Sequence, residues 1–150
     1  MTKVKQEEIT FNLKFKDIKV TKFSQFELLE QIDESRFPLV EFQTQFDFKV
    51  IDNEEVIISV VTVKIKVLET NEYFAELIVE TSFIVTPLNT IATKTENGAY
   101  DVKKIVLYNI ASVSLSTIRG ILFERLKGSI IQKEIYPLID LSKVFLEGNN

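Results

Sequence analysis

The stretch that most constrains this chain is residues 101–127, DVKKIVLYNIASVSLSTIRGILFERLK. Val102, Ile105, Val106, Ile110, Val113, Ile118, Leu122, Phe123 and Leu126 recur at spacings that drift round a helix, which predicts one long helix with a wide apolar face. Asp101 is placed to accept hydrogen bonds from the first-turn amides, and Gly128 to take the left-handed conformation beyond the last turn. At about 1.5 Å per residue the segment would run roughly 40 Å, longer than a small sheet needs for cover. Its middle is built of small residues: Ala111, Ser112, Ser114, Ser116 and Gly120. Glycine inside a helix costs about 1 kcal/mol against alanine. The pattern therefore reads as a joint between two helical pieces, a face that a second helix approaches closely, or plain tolerance of serine. Ser112, Ser114, Ser116 and Gly120 are the candidates for an oligomer contact.

Upstream the period changes from helical to alternating. Ile9, Phe11, Leu13 and Phe15 point one way, then Ile18 and Val20 take over, so the first strand should carry a bulge near Asp17. Ser24 and Glu27 fit a capping box for a short helix through Phe26, Leu28, Leu29 and Ile32, with a long loop ending at Pro38 as the other reading. Three strands follow without room for helices between them. Phe42, Thr44, Phe46, Phe48 and Val50 share a face, and Asp52-Asn53-Glu54 turns the chain back antiparallel. On the next strand Val61, Val63, Ile65 and Val67 face one side, while Ile58 and Val60 make the other side apolar too, as if a second subunit covered it. Tyr73, Ala75, Leu77, Val79, Phe83 and Val85 line one face of the fourth strand, with Phe74, Glu76, Ile78, Glu80 and Ile84 opposite. A polar connection with an Asn97-Gly98 turn leads to the helix. After it come an extended apolar tail segment, 129–141, and one helical turn at 142–146, together a lid-like tail. The fold class is α+β: a four-stranded antiparallel sheet packed by one long C-terminal helix, in a single domain with a loose arm at 1–8.

Composition narrows the chemistry. The chain has no histidine, cysteine or tryptophan, so nucleophile–histidine catalysis and thiolate metal sites are excluded. Glu76 and Glu80 lie roughly 13 Å apart along a strand, too far for a glycosidase pair, and they read as a solvated acidic patch. We expect no enzyme, no metal and no cofactor. A net charge of −4 argues against nucleic acid as the main partner. No uninterrupted apolar run approaches a membrane span, and the N-terminus lacks the apolar core of a secretory signal, so a cytoplasmic location without membrane insertion is expected. Twelve phenylalanines supply more apolar surface than one helix must cover, which points to oligomer burial or to a groove for apolar chain segments.

Several short motifs, taken in order, resemble the SecB-type export chaperones. Phe15-Lys16-Asp17-Ile18-Lys19-Val20 looks like that family's first strand, and Phe74-Ala75-Glu76 with Phe83 like its fourth. Residues 119–128 and Pro137-Leu138 look like the end of its main helix and the following lid. The resemblance spans roughly residues 10–145. It departs at Thr21, where the family usually has an acidic residue, and at Thr81-Ser82, where the family has a glycine pair. It implies an ATP-independent holdase assembled as a homotetramer, a dimer of dimers, that binds unfolded or pre-secretory polypeptides in hydrophobic grooves between sheet and lid. Phe15, Phe42, Phe46 and Leu138 are the candidate client-binding residues. By the same resemblance, Asp17 and Glu76 match acidic positions through which the family meets the SecA motor. Two other readings stand beside it: a dedicated chaperone for an antitoxin of a toxin–antitoxin pair, and a binding domain for a small apolar ligand.

Overall fold

The computed structural model describes residues 9–29 and 38–147; the expected arm at 1–8 and most of the expected short helix after Ser24 lie outside them. Four strands, β1 (Asn12–Gln25), β2 (Val40–Ile51), β3 (Val56–Val67) and β4 (Glu72–Thr86), form one antiparallel sheet in the order β1-β4-β3-β2. Alternation sets the faces. Ile57, Val61, Val63 and Ile65 of β3 and Leu77, Val79, Phe83 and Val85 of β4 are buried on one side. The β2–β3 hairpin closes through a short 3-10 turn, Asp52–Glu54, with Glu55 left-handed at φ 52°.

Bulges adjust the register where the sequence slips. One lies between Phe15 and Asp17, as the change of alternation predicts, and a second between Val20 and Lys22. Together they keep Phe15, Ile18, Val20 and Phe23 on the helix side. A third, opposite Ile65 and Lys66, inserts Phe74 beside Ala75. It corrects two expected faces: Phe74 is 8% exposed and belongs to the core, whereas Tyr73 turns to the outer face between Lys64 and Lys66. Ser24 is a strand residue paired with Glu76, so it caps no helix.

The connection after β4 is more structured than expected. A helical turn, α1 (Leu88–Ile91), buries Leu88 and Ile91, and a two-stranded hairpin follows, β5 (Ala92–Lys94) with β6 (Tyr100–Val102). Its turn uses Gly98 at φ +84°, with the Gly98 amide donating to Thr95 O at 3.0 Å. The long helix, α2 (Lys104–Arg125), therefore begins later than its apolar pattern. Asp101 pairs with Thr93 in β6, and no side chain caps the helix at Lys103. α2 runs unbroken through Gly120, so the small residues mark no joint.

By length and composition α2 would suffice to cross a membrane. Here Val106, Ile110, Ala111, Ser114, Leu115, Ile118 and Leu122 are buried, and the helix packs on the central strands β3 and β4. Two clusters result: Ile57, Phe83, Val85 and Ile91 around its first half, and Val61, Val63, Leu77 and Val79 under its second.

A groove beside the long helix

Because α2 covers the two central strands, the helix-side faces of both edge strands are left to other cover. On β2 the period-2 pattern brings Val40, Phe42, Thr44, Phe46 and Phe48 to that face, and all are half-buried. The C-terminal tail lies against this row. The Tyr136 ring meets Phe42 edge-on at 5.4 Å and 84°, and its hydroxyl bonds with the Thr44 hydroxyl. Phe145, on a wide turn over Ser142–Leu146, packs edge-on against Phe46 at 5.6 Å and Phe48 at 5.9 Å. The Phe46 and Phe48 rings are themselves parallel, 6.2 Å apart.

Arg119 fastens the near end of the tail to the helix. Its Nε donates to Tyr136 O at 3.1 Å and its Nη2 to Pro137 O at 3.3 Å. Burial pushes the Tyr136 phenol above its ordinary pKa, opposed by the Thr44 hydrogen bond and the Arg119 charge. Beyond Pro137 the chain lifts away, and Leu138 is 88% exposed before Leu141 returns to the core. A cleft of about 460 Å³ continues along β2, lined by Phe46, Phe48, Val50, Tyr100, Val102 and Leu107 among others. Chemically this is a mainly apolar, aromatic surface beside a strand edge that pairs with no further strand among the described residues. It can bury extended apolar chain with little demand on sequence.

The four expected client-binding residues do not converge. Phe42 and Phe46 lie in this groove and Leu138 on the tail beside it. Phe15 stands three strands away on the opposite edge, where its ring packs against Phe83 at 5.2 Å and remains 49% exposed. Phe48, Tyr136 and Phe145, which were not among the four candidates, join the groove. Phe48 shares the alternation of Phe42 and Phe46 and was legible; the two tail aromatics became part of the groove only through the fold of the tail.

The other expected sites separate as well. Asp17 and Glu76 share the outer face of the sheet, but the register places them six residues apart along β4, roughly 20 Å. Asp17 accepts from the Ile18 amide at 2.9 Å, and Glu76 is ion-paired with Lys22 at 3.0 Å. Of the proposed oligomer residues, Ser114 is a correction. It is 1% exposed and faces the sheet, 3.0 Å from the Ser59 hydroxyl, so it cannot meet another helix. Ser112, Ser116 and Gly120 lie along the other side of α2, and a Cβ at Gly120 would meet nothing within 4 Å.

A scan against protein-family models and a search of curated proteins return no match. Among solved structures, a SecB-like chaperone from Mycobacterium tuberculosis, in complex with a peptide from an antitoxin, superposes with a TM-score of 0.58. The fold is SecB-like. The match covers 85% of this chain and 91% of that one at 8% identity, so it speaks to architecture and not to residues. A protein of unknown function from Streptococcus agalactiae matches at TM-score 0.38 and 12% identity, over 88% of this chain and 99% of that one, and carries no argument. The SecB-like arrangement of sheet and helix matches the architecture expected from the alternating strands and the late helix.

Proposed function

We propose that this protein is an ATP-independent holdase that takes unfolded polypeptide segments into the groove beside β2. The observation that carries the reading is the row Phe42, Phe46 and Phe48, left by the helix and covered by the chain's own tail. An aromatic floor next to an open strand edge offers apolar burial to any extended chain and main-chain hydrogen bonds along the edge. The test is light scattering of a refolding protein diluted from denaturant. Equimolar chaperone without nucleotide should delay aggregation; no delay would end the general holdase reading.

A second reading is favoured by the mycobacterial structure, whose bound ligand is an antitoxin peptide. Under it, this chain serves one dedicated partner. A neighbouring toxin–antitoxin gene pair, with tight binding of that antitoxin and none of generic unfolded protein, would distinguish it.

Assembly into a homo-oligomer belongs to the same proposal. It is supported by Phe15 and Ile18, about half exposed on the free edge strand β1, and by the small outward residues Ser112, Ser116 and Gly120 on α2. Delivery of clients to SecA through Asp17 and Glu76 rests on the resemblance alone, since Lys22 neutralises Glu76.

A further inference from the structure

The tail is held very differently along its length. Up to Pro137 it is fastened by the Arg119 hydrogen bonds, the Tyr136–Thr44 hydroxyl pair and the buried Tyr136 ring. Leu141 is a second buried anchor, 5% exposed. Past it, the hydrogen bonds of Ser142–Leu146 are local: the Glu147 amide donates to Ser142 O at 2.9 Å, and the Ser142 amide to Asp140 Oδ1 at 3.2 Å. Among the described residues no hydrogen bond ties this turn to the sheet. Val144 and Leu146 are 59% and 40% exposed, so the aromatic contact of the turn with β2 is the single ring of Phe145 against Phe46 and Phe48, and the turn otherwise rests against α2. The cleft runs on beyond that ring past Val50, Val102 and Leu107, with Asp47 and Asp101 also in its wall.

We propose that Ser142–Leu146 is an intramolecular occupant of the groove, a competitor that an incoming polypeptide displaces, and not a lid that clamps over it. The inference rests on the client-binding reading above and adds its regulation. Phe145 fills the place of a client side chain, and the turn carrying it swings out about Leu141 while Tyr136 stays anchored. A longer client covers the floor that Phe145 covers and the cleft beyond it, so it buries more apolar area than the tail and wins. In the absence of client the tail keeps the aromatic row from water.

The two roles make opposite predictions. A lid contributes contacts to the complex, so weakening it weakens binding. An occupant lowers the competent fraction, so weakening it tightens binding by the reciprocal of that fraction. The probe is reduced, carboxymethylated ribonuclease A, a permanently unfolded polypeptide without tryptophan, labelled for fluorescence anisotropy. Phe145→Ala should tighten its binding about tenfold, as expected for a groove occupied roughly nine-tenths of the time. Because the chain lacks tryptophan, Phe145→Trp supplies a single reporter. Its emission should shift to the red when unlabelled probe saturates the groove, as the ring passes from the aromatic slot to water. Unchanged or weaker binding by Phe145→Ala, or a tryptophan that stays blue at saturation, overturns the proposal while leaving the holdase reading intact. If Phe145→Ala fails to fold, the tryptophan arm decides. Absence of probe binding by wild type and variants alike removes both readings together.

Discussion

At the scale of single residues, the buried hydroxyl pair between α2 and β3 is the sharpest case. Ser59 is 0% exposed and Ser114 1%, and Ser114 also bonds Ile110 O at 2.7 Å. A buried hydroxyl stripped of its partner bears its full desolvation penalty. Ser114→Ala should therefore cost about 1–3 kcal/mol, and the double variant Ser59→Ala/Ser114→Ala less than the two single losses added. Urea denaturation of the four proteins measures this, and simple additivity would show that the pair is uncoupled. Tyr136 gives a pH test. Its folded pKa is raised above the ordinary phenol value of 10.0, chiefly by burial. A phenol harder to ionise in the folded state contributes stability that is fully present below about pH 10 and lost as pH rises through the folded value. The stability difference between wild type and Tyr136→Phe should thus be steady at neutral pH and fall above pH 10. A difference that stays constant to pH 11 would mean that the ring ionises as freely folded as unfolded.

At the scale of elements, α2 has two unlike sides. The inward one matches the sheet, and its apolar pattern was readable from residue 105 onward. The start of the helix was not: Val102 continues the apolar pattern and Asp101 looks like a cap, yet both are claimed by the β5–β6 pairing, and backbone hydrogen bonds of a strand outweigh a helical period. The outward side carries Ser112 and Ser116, whose hydroxyls bond the carbonyls four residues back, and Gly120. If this is the face where copies meet, Ser116→Leu should overpack it, typically by 1–3 kcal/mol, and lower the sedimenting mass at micromolar concentration with helicity unchanged. Wild-type protein that already sediments as a monomer would rule out the contact. Gly120→Ala is the companion variant: with open space around the new Cβ, it should stabilise the chain by up to about 1 kcal/mol when no partner helix is present.

At the scale of the molecule, the tail decides how the groove behaves. Leu138 stands in solvent at 88% exposure, so Leu138→Ser should leave the melting temperature unchanged. The same variant should suppress aggregation of a refolding protein less well, because an exposed apolar residue beside the groove adds area to a bound chain. Equal suppression by wild type and variant would take Leu138 out of the client surface.

What the sequence determined by itself was whatever is periodic. Alternation specified four strands and, apart from Tyr73 and Phe74, their inward faces; the slip at Phe15–Ile18 specified a bulge, and the helical spacing specified a single long cover. Each is a local consequence of side-chain direction, which a chain carries in its order of residues. Only the tertiary structure decided which candidates meet. The order β1-β4-β3-β2 sends Phe15 to the far edge from Phe42 and Phe46, because strands adjacent in sequence need not be adjacent in the sheet. A bulge at Phe74 exchanged that residue with Tyr73 between faces, since one inserted residue shifts every side chain before it. Ser114 and Ser116 look equivalent in sequence, and one points into the core because two residues rotate a helix by more than half a turn. Finally, Tyr136 and Phe145 entered the groove by a tail with no strong period of its own. Its position is set by the aromatic floor it covers and the Arg119 that fastens it.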